Sequence, residues 1–289
     1  MLLTAFFVVP TRWFEMRSGS TYIANIGYAD TLQNRRCDIL VYGDSTAMIG
    51  VDPGILQRRT GLSACNISEY AGISLINHTV LVDDFLAHNP RPRYIVFLYA
   101  PNALNQPASW SAGVSTFEGI SYLIERQPHL KAALMLASHP VETLTWTETG
   151  MRLTLGHIRA KPFPEATRHV RDDYAGRLPI PETTRTSCDM LSDYRVPPDP
   201  AWAADLRRRY SEGGTKVLID ATPTSPCDPS LPFFDQHLNA VIDNKPYRTI
   251  PIFAYTTDGH LHANKTGIDL ISNMIADQIV ALSQPTGGN

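Results

Sequence analysis

Strand-like and helix-like segments follow each other in turn along the first hundred residues. Short, almost continuously apolar runs predict strands at 38–43, 64–68 and 94–99. Between them, apolar residues recur at helical spacing over Pro53 to Arg59 and over Ile73 to Ala87. Strands without internal alternation are typical of a parallel sheet that is covered by helices on both faces. The pattern therefore predicts an α/β fold.

The regular order stops after Asn102. We predict an insertion at about 105–195, with helical patterning at 119–125 and 130–137 and a Pro-rich ordered loop or lid over 160–200. The elements predicted beyond it are a helix over Pro200 to Glu212, a strand over Lys216 to Asp220, a strand over Ile250 to Tyr255 and a helix over Asn264 to Leu282.

Composition and charge exclude several classes of protein. The chain has 289 residues, of which 43% are hydrophobic, so it can bury a sizeable core and its composition is that of a globular protein. Its net charge is −3, and its densest basic cluster, Arg207-Arg208-Arg209, shares a helical pattern with Asp205 and Glu212. We therefore expect no nucleic-acid partner.

The cysteines argue against a structural zinc site. Cys37, Cys65, Cys188 and Cys227 contain no C-x-x-C pair. Four cysteines permit three disulfide connectivities, and four reduced thiols are the alternative. We predict neither a metal nor another cofactor.

Residues suited to acyl transfer occur near both ends of the chain. The first strand ends in Gly43-Asp44-Ser45, which places the Ser45 hydroxyl at a strand tip and makes it the candidate nucleophile. Its alternative role is to cap the following helix. Asp258, His260 and His262 supply an acid and imidazoles before the last helix. Together they could form a triad in which an imidazole takes the serine proton and Asp258 orients that imidazole.

Gly72 and Asn102 follow the second and third strands and complete the candidate site. A tetrahedral intermediate needs hydrogen-bond donors, which the backbone N–H groups of Ser45 and Gly72 and the amide of Asn102 could supply. All of these groups fall at the carboxyl ends of strands, where open parallel sheets bind ligands. Gly72 could instead be a flexible position before a helix, and Asn102 could bond its own loop.

The segments Gly43 to Ser45 and Asp258 to Gly267 together resemble the first and last blocks of the SGNH hydrolases, the GDSL-type esterase superfamily. The four residues that name this family would here be Ser45, Gly72, Asn102 and His262.

Two blocks depart from the family pattern. The third block normally has Gly-x-Asn-Asp, whereas Asn102 here follows Tyr99-Ala100-Pro101 and precedes an alanine. The family spaces its acid and base as D-x-x-H, but Asp258 precedes His260 by two positions and His262 by four. His262 also fits an H-x-N-x-x-G continuation, which favours it over His260 as the base.

The resemblance implies a three-layer α/β/α fold with a parallel, flavodoxin-like sheet and a large insertion after the third strand. It also implies an ester hydrolase or O-acyl (acetyl) transferase that acts through an acyl-enzyme on a carbohydrate or similar polar ester, without a cofactor. The altered blocks leave open an alternative: a catalytically inactive protein of this fold that binds or assembles polysaccharide.

Residues 1–30 are interpreted as an N-terminal apolar segment and linker, and 31–289 as the SGNH-like domain. The run Met1 to Val9 is strongly apolar but is shorter than the about twenty residues that span a bilayer, and no basic residues open it as in a secretory signal. It could be the remnant of a membrane anchor, the result of a start codon placed too late, or an element packed on the domain. Combined with the resemblance to exported SGNH proteins that modify bacterial surface polysaccharides, it favours an exported, periplasmic or membrane-anchored protein over a cytoplasmic one.

Overall fold

The computed structural model describes residues 29, 32–69, 79–105, 120, 124, 128–148, 183–188, 195–257 and 261–284. Within these residues the sheet consists of β1 (Ile39–Gly43), β2 (Ala64–Asn66), β3 (Tyr94–Tyr99) and β4 (Lys216–Ala221). The strands lie in the order β2-β1-β3-β4 and every neighbouring pair is parallel. The predicted α/β fold with a parallel sheet is confirmed.

Helices surround this sheet. They are α1 (Ser45–Gly50), α2 (Pro53–Thr60), α3 (Val80–His88), α4 (His129–Ser138), α5 (140–148), α6 (Pro200–Tyr210), α7 (Leu231–Leu238) and α8 (Lys265–Ser283). Short 3-10 turns occupy Pro101–Ala103, Glu212–Gly214 and Ile252–Ala254.

The two faces of the sheet have separate hydrophobic cores, because successive strand side chains point to opposite sides. Leu40, Phe97 and Ile219 lie in the core that includes residues of α3, α6 and α7. Val41 and Val96 lie in the other core, with residues of α1, α2 and α8. The continuously apolar strands thus have helices on both sides, as their sequence pattern indicated.

Most of the predicted helices agree with the structure. The helices expected from Pro53, Leu130, Pro200 and Asn264 begin within one residue of those positions. The helix expected over 73–87 is present as α3, and its first six residues lie outside the described part. Helices α1, α5 and α7 were not predicted.

Only parts of the predicted insertion at 105–195 are described. They include α4 and α5, and residues 120 and 124, which are both helical. The remaining residues of the predicted helix at 119–125 lie outside the described part. Of the predicted loop or lid at 160–200, only 183–188 and 195–200 are described.

The prediction of a strand from Ile250 to Tyr255 is wrong. The structure has a single 3-10 turn at Ile252–Ala254, and Tyr255 forms only an isolated antiparallel bridge with Ala263. Pro251 precedes the turn, and its ring nitrogen has no N–H for a sheet ladder. The apolar run has the length of a strand but forms a 3-10 turn instead.

The described cysteines form two disulfides, which selects one of the three connectivities. Cys37 pairs with Cys65, joining the approach to β1 with β2, and their Cα atoms are 5.7 Å apart. Cys188 pairs with Cys227, joining the predicted insertion to the loop after β4, with Cα atoms 6.1 Å apart. Among the described helices, none combines the length and the apolar character that crossing a membrane requires.

The glycine at the end of β1 allows a close approach between two strands. A Cβ atom on Gly43 would lie 1.6 Å from the carbonyl oxygen of Leu98, its partner in β3. A side chain at this position would therefore push the backbones of β1 and β3 apart.

We expect Gly43→Ala to destabilise the protein by about 3 kcal/mol or more, because the obstacle is backbone rather than a flexible side chain. Gly50→Ala is the matched control: its Cβ would meet only side-chain atoms, those of Ile271 at 3.3 Å and Ala263 at 4.0 Å. Urea unfolding measures both free energies. Equal losses in the two variants would contradict this explanation.

Strand β4 contains a buried carboxyl group whose ionisation is unfavourable. Asp220 is 4% exposed and accepts a hydrogen bond from the N–H of Asn244 at 2.8 Å. Burial raises its pKa to about 7, and the nearby negative charge of Asp243 contributes to that rise. A carboxyl with a raised pKa in the folded state ionises more easily in the unfolded chain, so stability falls as the pH rises through this range.

Asp220→Asn should therefore become stabilising relative to the native chain as the pH rises from about 4 to about 7, and level off above that. The gain has an upper limit of several kcal/mol, since one pKa unit corresponds to about 1.4 kcal/mol. Urea unfolding across this range measures it. Asp269→Asn, at an exposed position of α8, is measured beside it as a control for the substitution itself. A pH-independent difference between Asp220→Asn and the native chain would contradict the prediction.

Candidate active site

Ser45 lies at the carboxyl edge of the sheet, where β1 leads through a single residue into α1. Asp44 separates the strand from the helix: its backbone is extended and its carboxylate accepts the N–H of Thr46, so it is the N-cap of α1. Ser45 is the first residue of that helix and is 7% exposed. The cap ends the strand at a defined residue and thereby fixes where the serine hydroxyl stands.

The imidazole of His262 is the partner of that hydroxyl. Ser45 Oγ and His262 Nε2 are 3.0 Å apart, although the two residues are separated by 217 positions in the sequence. The hydroxyl can donate to Nε2 when the imidazole carries its proton on Nδ1, which is the tautomer that a general base requires. Of the two candidate histidines, His262 is thus beside Ser45, and His260 lies outside the described residues.

The H-x-N-x-x-G continuation of His262 has a physical basis in its loop. Asn264 is the N-cap of α8, and its Oδ1 accepts the N–H of Gly267 at 3.2 Å. Its Nδ2 donates to the carbonyls of Phe253 at 2.7 Å and Tyr255 at 3.2 Å. One buried amide therefore joins the start of α8 to the chain segment that runs beside His262.

Asp44 has a second function besides capping, which the sequence pattern did not indicate. Its Oδ1 accepts the N–H and hydroxyl of Thr46 at 2.9 and 2.6 Å, and its Oδ2 accepts the N–H of Ala100 at 2.8 Å. Burial raises the pKa of Asp44, while these hydrogen bonds and the charge of His262 act to lower it. Because this attraction is mutual, the carboxylate favours the protonated imidazole.

A second buried acid lies at the same edge. Glu69 is fully buried, and its N–H donates to the carbonyl of Gly43 at 3.0 Å. Its Oε2 accepts the Tyr42 hydroxyl at 2.9 Å. Burial, together with the charges of Asp44 and Glu69, raises the pKa of Tyr99 well above its usual range. Two buried acids therefore lie at this edge, and the only sequence signal for Glu69 was its position just after β2.

The remaining predicted residues are placed only in part. Asn102 lies in the turn Pro101–Ala103 directly after β3, two residues beyond the Ala100 N–H that binds Asp44. It is therefore on the same edge of the sheet as Ser45. Gly72 and Asp258 lie outside the described residues.

In the part of the chain that the structure describes, no three His, Cys, Asp or Glu side chains gather into a group that could hold a metal ion.

No family model matches the chain, and no curated protein or solved structure matches it. The SGNH resemblance rests on the motif residues quoted above and stays a prediction.

Asp44→Asn should lower the free energy of unfolding at neutral pH by about 1–3 kcal/mol, because one amide oxygen cannot accept from both Thr46 and Ala100. The matched control is Asp52→Asn, since Asp52 caps α2 by accepting the N–H of Gly54 and Asn caps helices about as well as Asp. Urea unfolding compares the two variants. A loss at Asp44 no greater than at Asp52 would contradict a bridging role.

Proposed function

We propose that this protein is a serine-dependent ester hydrolase or O-acyl transferase of the SGNH type. The observation that carries the proposal is the 3.0 Å contact between Ser45 Oγ and His262 Nε2 at the carboxyl edge of a parallel sheet. A hydroxyl within hydrogen-bond reach of an imidazole is the basic unit of nucleophilic acyl transfer.

The topology supports this assignment. The described strands follow the order 2-1-3-4, which matches the first four strands of a flavodoxin-like sheet. In such sheets ligands bind outside the carboxyl ends of the strands, next to the first strand. Ser45 follows β1 at that edge after one residue, and Asn102 follows the neighbouring β3.

In the proposed first half-reaction, Ser45 Oγ attacks the acyl carbon of the ester while its proton passes to His262 Nε2. The carbonyl oxygen becomes an oxyanion, for which the backbone N–H of Ser45 and the side-chain amide of Asn102 are the proposed donors, with Gly72 as a third. The intermediate then collapses: the bond to the leaving oxygen breaks, and that oxygen takes the proton from His262.

The second half-reaction removes the acyl group from Ser45. Water or an acceptor hydroxyl attacks the acyl carbon, gives its proton to His262, and releases the product when the Ser45 oxygen recovers that proton. Water as acceptor makes the protein a hydrolase, and a sugar hydroxyl makes it a transferase.

A positive imidazolium forms in each half-reaction and needs a negative partner. We propose that Asp44 supplies part of this stabilisation through its charge, from a position fixed by Thr46 and Ala100. Asp258 is the proposed residue that orients the imidazole, by its place in the last motif. The two acids would then act on the same ring.

The proposed substrate class rests on the family resemblance and on the proposed reaction. We propose an O-acyl, most simply O-acetyl, group on a carbohydrate, processed outside the cytoplasm. The two disulfides are compatible with an oxidising compartment.

Ser45→Ala should abolish both covalent labelling by a fluorophosphonate and acetate release from p-nitrophenyl acetate. His262→Gln should slow labelling by about 10²-fold or more, because the serine loses its general base. Both are followed by labelling time courses and by the release of p-nitrophenol.

Ser138→Ala is the matched control, since this exposed serine lies in α4 and its hydroxyl bonds only its own helix. Retained labelling of Ser45→Ala would contradict the assignment of the nucleophile. A folded native protein without any labelling would instead favour the inactive, polysaccharide-binding alternative.

A further inference from the structure

A short segment of the predicted insertion, Thr183–Cys188, lies against the chain that holds His262. The N–H of Arg185 donates to the carbonyl of Tyr255 at 2.9 Å. The N–H of Thr257 donates to the Thr183 hydroxyl at 3.2 Å. The segment thus runs beside residues 255–257 and is bonded to them from both directions.

Thr256 connects this segment with the histidine. Its N–H and its hydroxyl both donate to the carbonyl of His262, at 2.9 and 3.2 Å. Its own carbonyl accepts the Nε–H of Arg185 at 3.3 Å. Hydrogen bonds therefore lead from the guanidinium through one residue to the backbone of His262.

The other side of His262 is attached to the same segment. Asn264, which caps α8, donates from Nδ2 to the carbonyl of Thr183 at 3.3 Å. Residues on both flanks of His262 are therefore bonded to Thr183–Arg185, so a shift of this segment would shift the imidazole.

Two features hold the segment in place. Arg185 is 8% exposed, and a guanidinium buried to this degree is costly to move because its donors need partners. Cys188 is bonded to Cys227 in the loop after β4, which ties the end of the segment covalently to the sheet's carboxyl edge. The disulfide is separate from the contacts with the histidine loop, whereas the guanidinium makes one of them.

We propose that Arg185 is a positioning residue for His262, presented by the segment Thr183–Cys188 and anchored by the Cys188–Cys227 disulfide. The inference rests on the proposed function, because it gives His262 the role of general base toward Ser45. This segment then has a mechanical role at the site: it fixes the backbone from which the imidazole reaches the serine. Misplacing a catalytic group by about 1 Å can cost on the order of 10² in rate.

The test compares Arg185→Gln and Arg185→Lys with Arg248→Gln, at an exposed arginine. In Arg185→Gln we expect fluorophosphonate labelling of Ser45 and kcat for p-nitrophenyl acetate to fall about tenfold or more, with KM little changed. Arg185→Lys should recover part of this loss, because an ammonium can still donate to the Thr256 carbonyl. Arg248→Gln should match the native protein.

Amide hydrogen exchange supplies a readout that does not depend on activity. The Thr256 N–H, which bonds His262, should exchange at least about tenfold faster in Arg185→Gln than in the native protein. If the native protein is not labelled at all, the proposed function fails, and this exchange rate still tests the positioning. A folded Arg185→Gln variant with native labelling and native Thr256 exchange overturns the inference alone.

A second pair of variants covers the case in which Arg185→Gln does not fold. Cys188→Ser/Cys227→Ser removes the anchor, and Cys37→Ala/Cys65→Ala removes the other disulfide, which closes a loop of similar length away from the site. Only the first double variant should accelerate Thr256 exchange and slow Ser45 labelling. Equal effects of the two on both readouts would show a general loss of stability and overturn the inference.

Discussion

The carboxylate of Asp44 joins the two strand ends that carry the candidate site, and the position of Ser45 depends on it. One oxygen binds the first turn of α1 and the other binds the N–H of Ala100, just beyond β3. The two strands can meet this closely because Gly43 has no side chain. Burying a carboxylate costs free energy that its three hydrogen bonds offset only in part, so its pKa remains raised. This unfavourable burial occurs at the turn between β1 and α1, which positions the serine hydroxyl.

His262 reaches the same edge in a different way, because no strand carries it there. Its loop follows a 3-10 turn and is held by side chains that bond backbone carbonyls: Asn264 from α8, Thr256 within the loop and Arg185 from the predicted insertion. Closing such a long sequence separation adds little entropy cost beyond that of a shorter loop, since the cost grows only with the logarithm of length. The position of His262 therefore depends mainly on local contacts, in which each of these donors is hydrogen-bonded to its carbonyl acceptor.

The strands and the Ser–His contact could be anticipated from the sequence, but the acids and the arginine around them could not. Strands β1 and β3 are continuous apolar runs, and Ser45 and His262 belong to motifs with a defined place after a strand and before a helix. The run from Ile250 to Tyr255 is also apolar, and the one residue in it that disfavours a strand is Pro251, which lacks an N–H. Asp44 contacts Ala100 across 56 positions and Arg185 contacts Thr256 across 71. Contacts of this range leave no periodicity, so the pattern showed Asp44 only as part of a turn and Arg185 only as part of a polar segment.

The catalytic role that we propose for this edge is consistent with the surroundings of Ser45. The Ser45 hydroxyl lies 3.0 Å from an imidazole, and ligand binding alone does not require such a contact. The buried acid Asp44, whose pKa is raised and whose charge acts on that imidazole, costs stability and adds no contact surface for a ligand. Perturbed acids of this kind are concentrated at sites that stabilise charge during a reaction, and an imidazole that takes up a proton develops such a charge. An inactive binding protein would carry the same cost without needing the stabilisation.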